Sequence, residues 1–139
     1  MQAVQKSGTN TSLLVATFLD TVNSYGNIKE VIYTDGSKKD DGVGCAFTSM
    51  ESEQRFTLNP ITSIYRAELF AIIQALLYIR NKEPGTYLIC SDSLSVIQSI
   101  TRNMTLDAMI QELLKINQSL ASEMKSGTFV WSPGHLCIP

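Results

Sequence analysis

The sequence predicts a mixed α/β domain, a five-stranded sheet with helices on both faces. Three observations lead there. Residues 28–59 hold three strand-like stretches separated by short turns, the pattern of an antiparallel meander. Residues 64–82 are apolar on nearly every side, as in a central helix buried by its neighbours. After it, strand-like and helical stretches alternate up to residue 131, and strand–helix–strand crossovers make the strands they join parallel.

In order along the chain, residues 1–11 are polar. Leu13, Leu14, Ala16, Phe18 and Val22 then fall near helical spacing, so residues 1–27 read as an N-terminal extension with a helix over 12–25. The first strand spans 28–35, where Val31, Ile32, Tyr33 and Thr34 favour extended backbone. Lys38 to Gly42 is a charged turn. Val43–Ser49 and Gln54–Asn59 are the second and third strands. Pro60 stops the third, and Thr62 or Ser63 can cap the long helix. Pro84-Gly85 ends that helix. Tyr87-Leu88-Ile89-Cys90 has no polar alternation, as expected of a strand covered on both faces. Ser93 is placed to cap a short helix containing Leu94, Val96, Ile97 and Ile100. Thr105 is placed to cap a longer one whose apolar face includes Leu106, Met109, Ile110, Leu113, Leu120 and Met124. Gly127 breaks it, and Thr128-Phe129-Val130-Trp131 is the fifth strand. Strands one, four and five should run parallel, with strand two antiparallel beside strand one.

A chain of 139 residues with 44% apolar residues is the size of one domain with a real core. The apolar run at 69–79 is too short and polar-edged to span a membrane. Residues 1–12 lack the charged start and apolar centre of a secretory leader, so the expected location is intracellular, cytoplasm or nucleus. Cys45, Cys90 and Cys137 have no zinc spacing and read as free thiols. A net charge of −2 argues against a basic protein that coats nucleic acid. It leaves room for an enzyme whose bound cations bridge its carboxylates to a phosphate backbone.

Three acids stand out. Asp35 arrives where the first strand runs out, followed by Gly36. The ordinary reading of Asp-Gly is a turn. Asp92, however, follows the fourth strand in the same way, and parallel neighbours would bring both to the carboxyl edge where open α/β sheets hold ligands. Glu68 sits among Ala67, Leu69 and Ala71 on the apolar helix, a costly place for a carboxylate without compensation. Clustered carboxylates suit Mg²⁺ or Mn²⁺. Two such ions roughly 4 Å apart can activate a water and stabilise the leaving oxygen of a phosphodiester. No serine or cysteine nucleophile with a partnered histidine is visible. His135, the sole histidine, reads by itself as a structural residue.

The blocks Ile-Tyr-Thr-Asp-Gly-Ser (32–37), Tyr-Arg-Ala-Glu-Leu-Phe-Ala-Ile (65–72), Ile-Cys-Ser-Asp-Ser (89–93) and Val-Trp-Ser-Pro-Gly-His (130–135) resemble, in order and spacing, the blocks of the ribonuclease H family. The wording is most like ribonuclease H domains of non-LTR retrotransposons, and the match spans residues 28–139. The resemblance implies a sheet of order 3-2-1-4-5 and endonucleolytic cutting of the RNA strand of an RNA–DNA hybrid with two divalent ions. It implies that Asp35, Glu68 and Asp92 are metal ligands and that His135 aids proton transfer or product release. Gly36 and Ser37 match positions where the family's backbone meets substrate, and Ser93 is placed with them as a substrate contact. Discrimination of RNA would rest on 2′-hydroxyls and groove shape.

The family pattern continues beyond the histidine with a Gly-Asn-Glu segment and a helix carrying a fourth acid. Here the sequence stops at Pro139. The expectation is therefore a domain over 28–139 incomplete at its C-terminus, with two ions or only one retained. Two other readings stay open: a catalytically inactive module that binds nucleic acid or serves a structural role, and a transposase or integrase relative acting on DNA.

Overall fold

The computed structural model describes residue 20 and residues 27–102 and 106–132. The N-terminal helix expected over 12–25 lies outside the described residues except for residue 20. His135 and Cys137 also lie outside them.

Five strands form one sheet: β1 (Ile28–Lys39), β2 (Gly42–Thr48), β3 (Glu53–Leu58), β4 (Gly85–Ser91) and β5 (Lys125–Trp131). Their order is β3-β2-β1-β4-β5. β1 and β2 pair antiparallel, as do β2 and β3. β4 is parallel to both β1 and β5. Three helices complete the described fold: α1 (Ile64–Arg80), α2 (Leu94–Thr101) and α3 (Ala108–Ala121).

Strand β1 is longer than its apolar residues predict. It runs on to Lys39, and only Asp40-Asp41 separates Lys39 from its register partner Gly42. The register of β1 against β4 shifts between Ile28 and Glu30. That extra residue turns Ile28 to the side of Val31 and Tyr33, which pack with buried Leu88, Cys90 and Val130.

The other side of the sheet carries the main core. α1 lies across β1 and β2, and α3 packs against α1 and β5. Ile32, Phe47, Tyr87 and Ile89 meet Leu69, Ile72, Leu76 and Ile79 of α1 and Ile110, Leu113 and Leu120 of α3. Ser63 caps α1, its hydroxyl accepting from Arg66 N at 3.1 Å. At the far end Lys125, itself buried, donates to the Arg80 carbonyl at 2.6 Å and so satisfies one of the terminal carbonyls of the helix.

Four local expectations are corrected. Gly127 does not break a helix; it lies inside β5, which starts at Lys125. A Cβ there would sit 2.8 Å from Leu76 Cδ2, so glycine lets strand and helix approach. The cap of α3 is Asp107, which accepts from Met109 N at 2.9 Å and Ile110 N at 3.3 Å. Leu106 and Met124 are exposed, leaving Ile110, Leu113, Ile116 and Leu120 as the buried face of α3. Ser93 stands at the cap position of α2, but its side chain makes no capping bond.

Cys45 and Cys90 are buried and form no disulfide among the described residues, as expected. Among the described residues, no helix is long and apolar enough to cross a membrane.

Candidate metal centre

The parallel pairing of β1 with β4 builds one side of the site. Thr34 and Ser91 are register partners, and the next residue of each strand is an aspartate. The buried Thr34 hydroxyl also donates to the Cys90 carbonyl at 3.2 Å, a second tie between the strands at this level. Helix α1, lying across β1, supplies Glu68 from its second turn. Each of Asp35, Glu68 and Asp92 offers one carboxylate oxygen, and these oxygens lie within 4.8 Å of one another. Asp35 is exposed, Asp92 half-buried and Glu68 buried.

Glu68 is the electrostatic centre of this group. Burial pushes its carboxyl up to about 7, and the charges of Asp92 and Asp35 add to the rise. The Gly36 N–H, donating to Oε1 at 3.0 Å, works against it, as does the nearby Ser91 hydroxyl. That hydroxyl accepts from Ser93 N at 3.1 Å, and Glu68 Oε2 is buried with no hydrogen-bond partner among the described residues. A buried carboxylate with one orphaned oxygen, clustered with two further carboxylates, is an unfavourable arrangement by itself. A hard divalent cation would relieve all three repulsions, so the donor set fits Mg²⁺ or Mn²⁺.

The loop bearing Asp92 is tied down by its own contacts. Trp131 Nε1 donates to the Asp92 carbonyl at 3.2 Å, and Ser132 N donates to the Ser91 carbonyl at 2.8 Å. Cys45 is nearby but is no nucleophile. Burial, with the charge of Glu68 behind it, raises its thiol to about 11.

Of the other residues singled out in the sequence, Gly36 lies against Glu68, and Ser37 is exposed one position further along β1. Ser93 is half-buried at the start of α2, its hydroxyl 3.4 Å from that of Ser95. The hydrogen bonds of Thr34 and Trp131 in this corner are not marked by any spacing in the sequence. Trp131 carries the one available signal, being the sole tryptophan and sitting in the Val-Trp-Ser-Pro-Gly-His block.

The sheet order and the strand-edge acids set the chain beside known proteins. The RNase H family model matches residues 27–139, and the chain belongs to the ribonuclease H family. Two solved structures illustrate the likeness. The LC11 ribonuclease H1, determined in complex with an RNA/DNA hybrid, is 19% identical with a TM-score of 0.59, and the match covers 76% of this chain and 86% of that one. The ribonuclease H1 of the halophilic archaeon Halobacterium salinarum NRC-1 is also 19% identical, with a TM-score of 0.56 and the same coverage of 76% and 86%. Comparison with curated protein sequences finds no match.

Proposed function

We propose that this protein cleaves the RNA strand of RNA–DNA hybrids, with Asp35, Glu68 and Asp92 holding divalent magnesium or manganese. The observation that carries this reading is the cluster of Asp35, Glu68 and Asp92, whose carboxylates each bring one oxygen within 4.8 Å of the others, together with the buried Oε2 of Glu68, which has no hydrogen-bond partner among the described residues. Family membership supports the substrate class, and the hybrid bound by the LC11 enzyme is consistent with it.

Asp35, Glu68 and Asp92 would hold the cations, which would supply Lewis-acid polarisation of the phosphodiester and activation of a water. The chain's own groups do the rest. Glu68 gains its charge as pH rises through about 7, or when a cation displaces its proton. Gly36 N–H keeps one Glu68 oxygen occupied, so the other is left for the cation. Trp131 and Ser132 fix the backbone on either side of the Ser91–Asp92 bond, which limits how far the Asp92 carboxylate can wander. Gly36, Ser37 and Ser93, each within two residues of Asp35 or Asp92 in the chain, are the proposed substrate contacts, and His135 is the proposed aid to proton transfer or product release.

The test is a cleavage assay on an RNA–DNA hybrid, duplex RNA and duplex DNA, each in Mg²⁺ and in Mn²⁺. Cutting of the RNA strand of the hybrid alone is expected. Cutting of duplex DNA alone would overturn the reading, and tight hybrid binding without cleavage in either ion would favour an inactive binding module.

A further inference from the structure

We infer that Gly36 is a positioning residue for Glu68, holding one oxygen of its carboxylate so that the other is presented to a cation. The inference rests on reading the three carboxylates as a cation site. Two observations carry it. The Gly36 N–H donates to Glu68 Oε1 at 3.0 Å, while Oε2 of the same carboxylate is buried and unpartnered. A Cβ on Gly36 would lie 3.1 Å from Glu68 N, 3.1 Å from Oε1 and 3.2 Å from Cδ.

Strand β1 therefore meets helix α1 at Glu68 through bare backbone. The helix N–H and the carboxylate both rest against the Cα of Gly36. A methyl group would have to push back either the helix, which the core holds in place, or the carboxylate. Because alanine keeps its backbone N–H, Gly36→Ala alters the approach distance and leaves the donor itself present. The expected result is a tilted Glu68 carboxylate whose Oε2 no longer shares a focus with Asp35 and Asp92. Groups that orient metal ligands typically change metal affinity by about 10- to 100-fold when lost.

The experiment is Mn²⁺ binding to the metal-stripped protein at pH 8, followed by electron paramagnetic resonance, for wild type, Gly36→Ala, Glu68→Gln and the double variant. Hybrid cleavage is measured in parallel. Gly36→Ala should raise the Mn²⁺ Kd by about 10-fold and lower kcat at limiting Mn²⁺, with much of the lost kcat recovered at saturating Mn²⁺. Once Glu68 is Gln, adding Gly36→Ala should cost nothing more, because both act through one carboxylate.

Wild-type Mn²⁺ affinity in Gly36→Ala, additive losses in the double variant, or a raised hybrid KM alone would overturn the inference and leave the cation site standing. A wild-type protein that binds no Mn²⁺ would instead overturn the cation site, and the inference with it. Amide hydrogen exchange does not depend on the Gly36 variant folding. The Gly36 N–H should exchange slowly in wild type and at least about 10-fold faster in Glu68→Ala; equal rates would overturn the inference.

Discussion

Thr34 of β1 and Ser91 of β4 are register partners in the parallel pair, and each is followed directly by an aspartate. The sheet thus delivers Asp35 and Asp92 at one level of its carboxyl edge, and α1 brings Glu68 to them. The side chain of Thr34 reinforces this level through its bond to the Cys90 carbonyl.

Replacing Thr34 with Val keeps the shape of the side chain but removes that buried hydrogen bond. A loss of about 1 kcal/mol in unfolding free energy is expected in urea titrations. Thr34→Ser, which keeps the hydroxyl, should recover part of it.

Glu68 makes the stability of the metal-free protein depend on pH in a defined direction. Its carboxyl is raised from 4.5 to about 7 by burial and by Asp92 and Asp35. Between those values the folded state holds a proton that the unfolded state has released, so stability falls as pH rises. The full contribution is present below pH 4.5 and is lost as pH climbs through about 7, about 3 kcal/mol in all. Denaturant titrations at a series of pH values should show this slope, and Glu68→Gln should remove it. The stabilisation added by Mg²⁺ should grow over the same interval.

Asp107 joins two helices. It caps α3 and pairs with Arg66 of α1 at 2.8 Å. The hydrogen bond from Arg66 holds its carboxyl below the usual range. Its contribution is therefore present above the ordinary aspartate value and fades as pH falls below it. Asp107→Ala loses the cap and the pair together, about 1–2 kcal/mol. Arg66→Ala loses only a partly exposed pair, about 0.5 kcal/mol. Thermal melts of the two variants should rank them in that order.

Gly127→Ala would place a methyl 2.8 Å from Leu76 Cδ2 and 3.3 Å from both Asn117 Oδ1 and Ile89 Cδ1. Overpacking of this kind costs about 1–3 kcal/mol. The Asn117 side chain, which bonds both the N–H and the carbonyl of Gly127 at 3.1 Å, would have to move. A lowered midpoint in chemical denaturation checks this.

The sheet was readable because its central strands are unambiguous. Val31 to Thr34 and Tyr87 to Cys90 are runs of strand-favouring or apolar residues, and each ends on a carboxylate that a buried strand would not otherwise carry. Glu68 stood out by the same logic, as a charge amid helix-core residues. The start of β5 was hidden because Lys125, Ser126 and Gly127 are poor strand formers. Their pairing with Gly85, Thr86 and Tyr87 and the Lys125 bond to Arg80 are contacts distant in sequence. The same holds for the site. Its three acids are local events at strand and helix positions, but the Gly36–Glu68 contact spans 32 residues and the Trp131–Asp92 bond 39. Pattern in one stretch of chain shows neither contact, although the sole tryptophan marks one partner of the second.

The most direct test of the account is Mg²⁺-dependent cleavage of a labelled RNA–DNA hybrid by wild type and by Asp35→Asn. The substitution removes one charge from the three-carboxylate cluster while keeping the side chain's size. The cleavage rate should fall by about 100-fold or more, equivalent to about 2.7 kcal/mol of transition-state stabilisation, with the fold intact by circular dichroism. Undiminished cleavage of the RNA strand by Asp35→Asn would contradict the account.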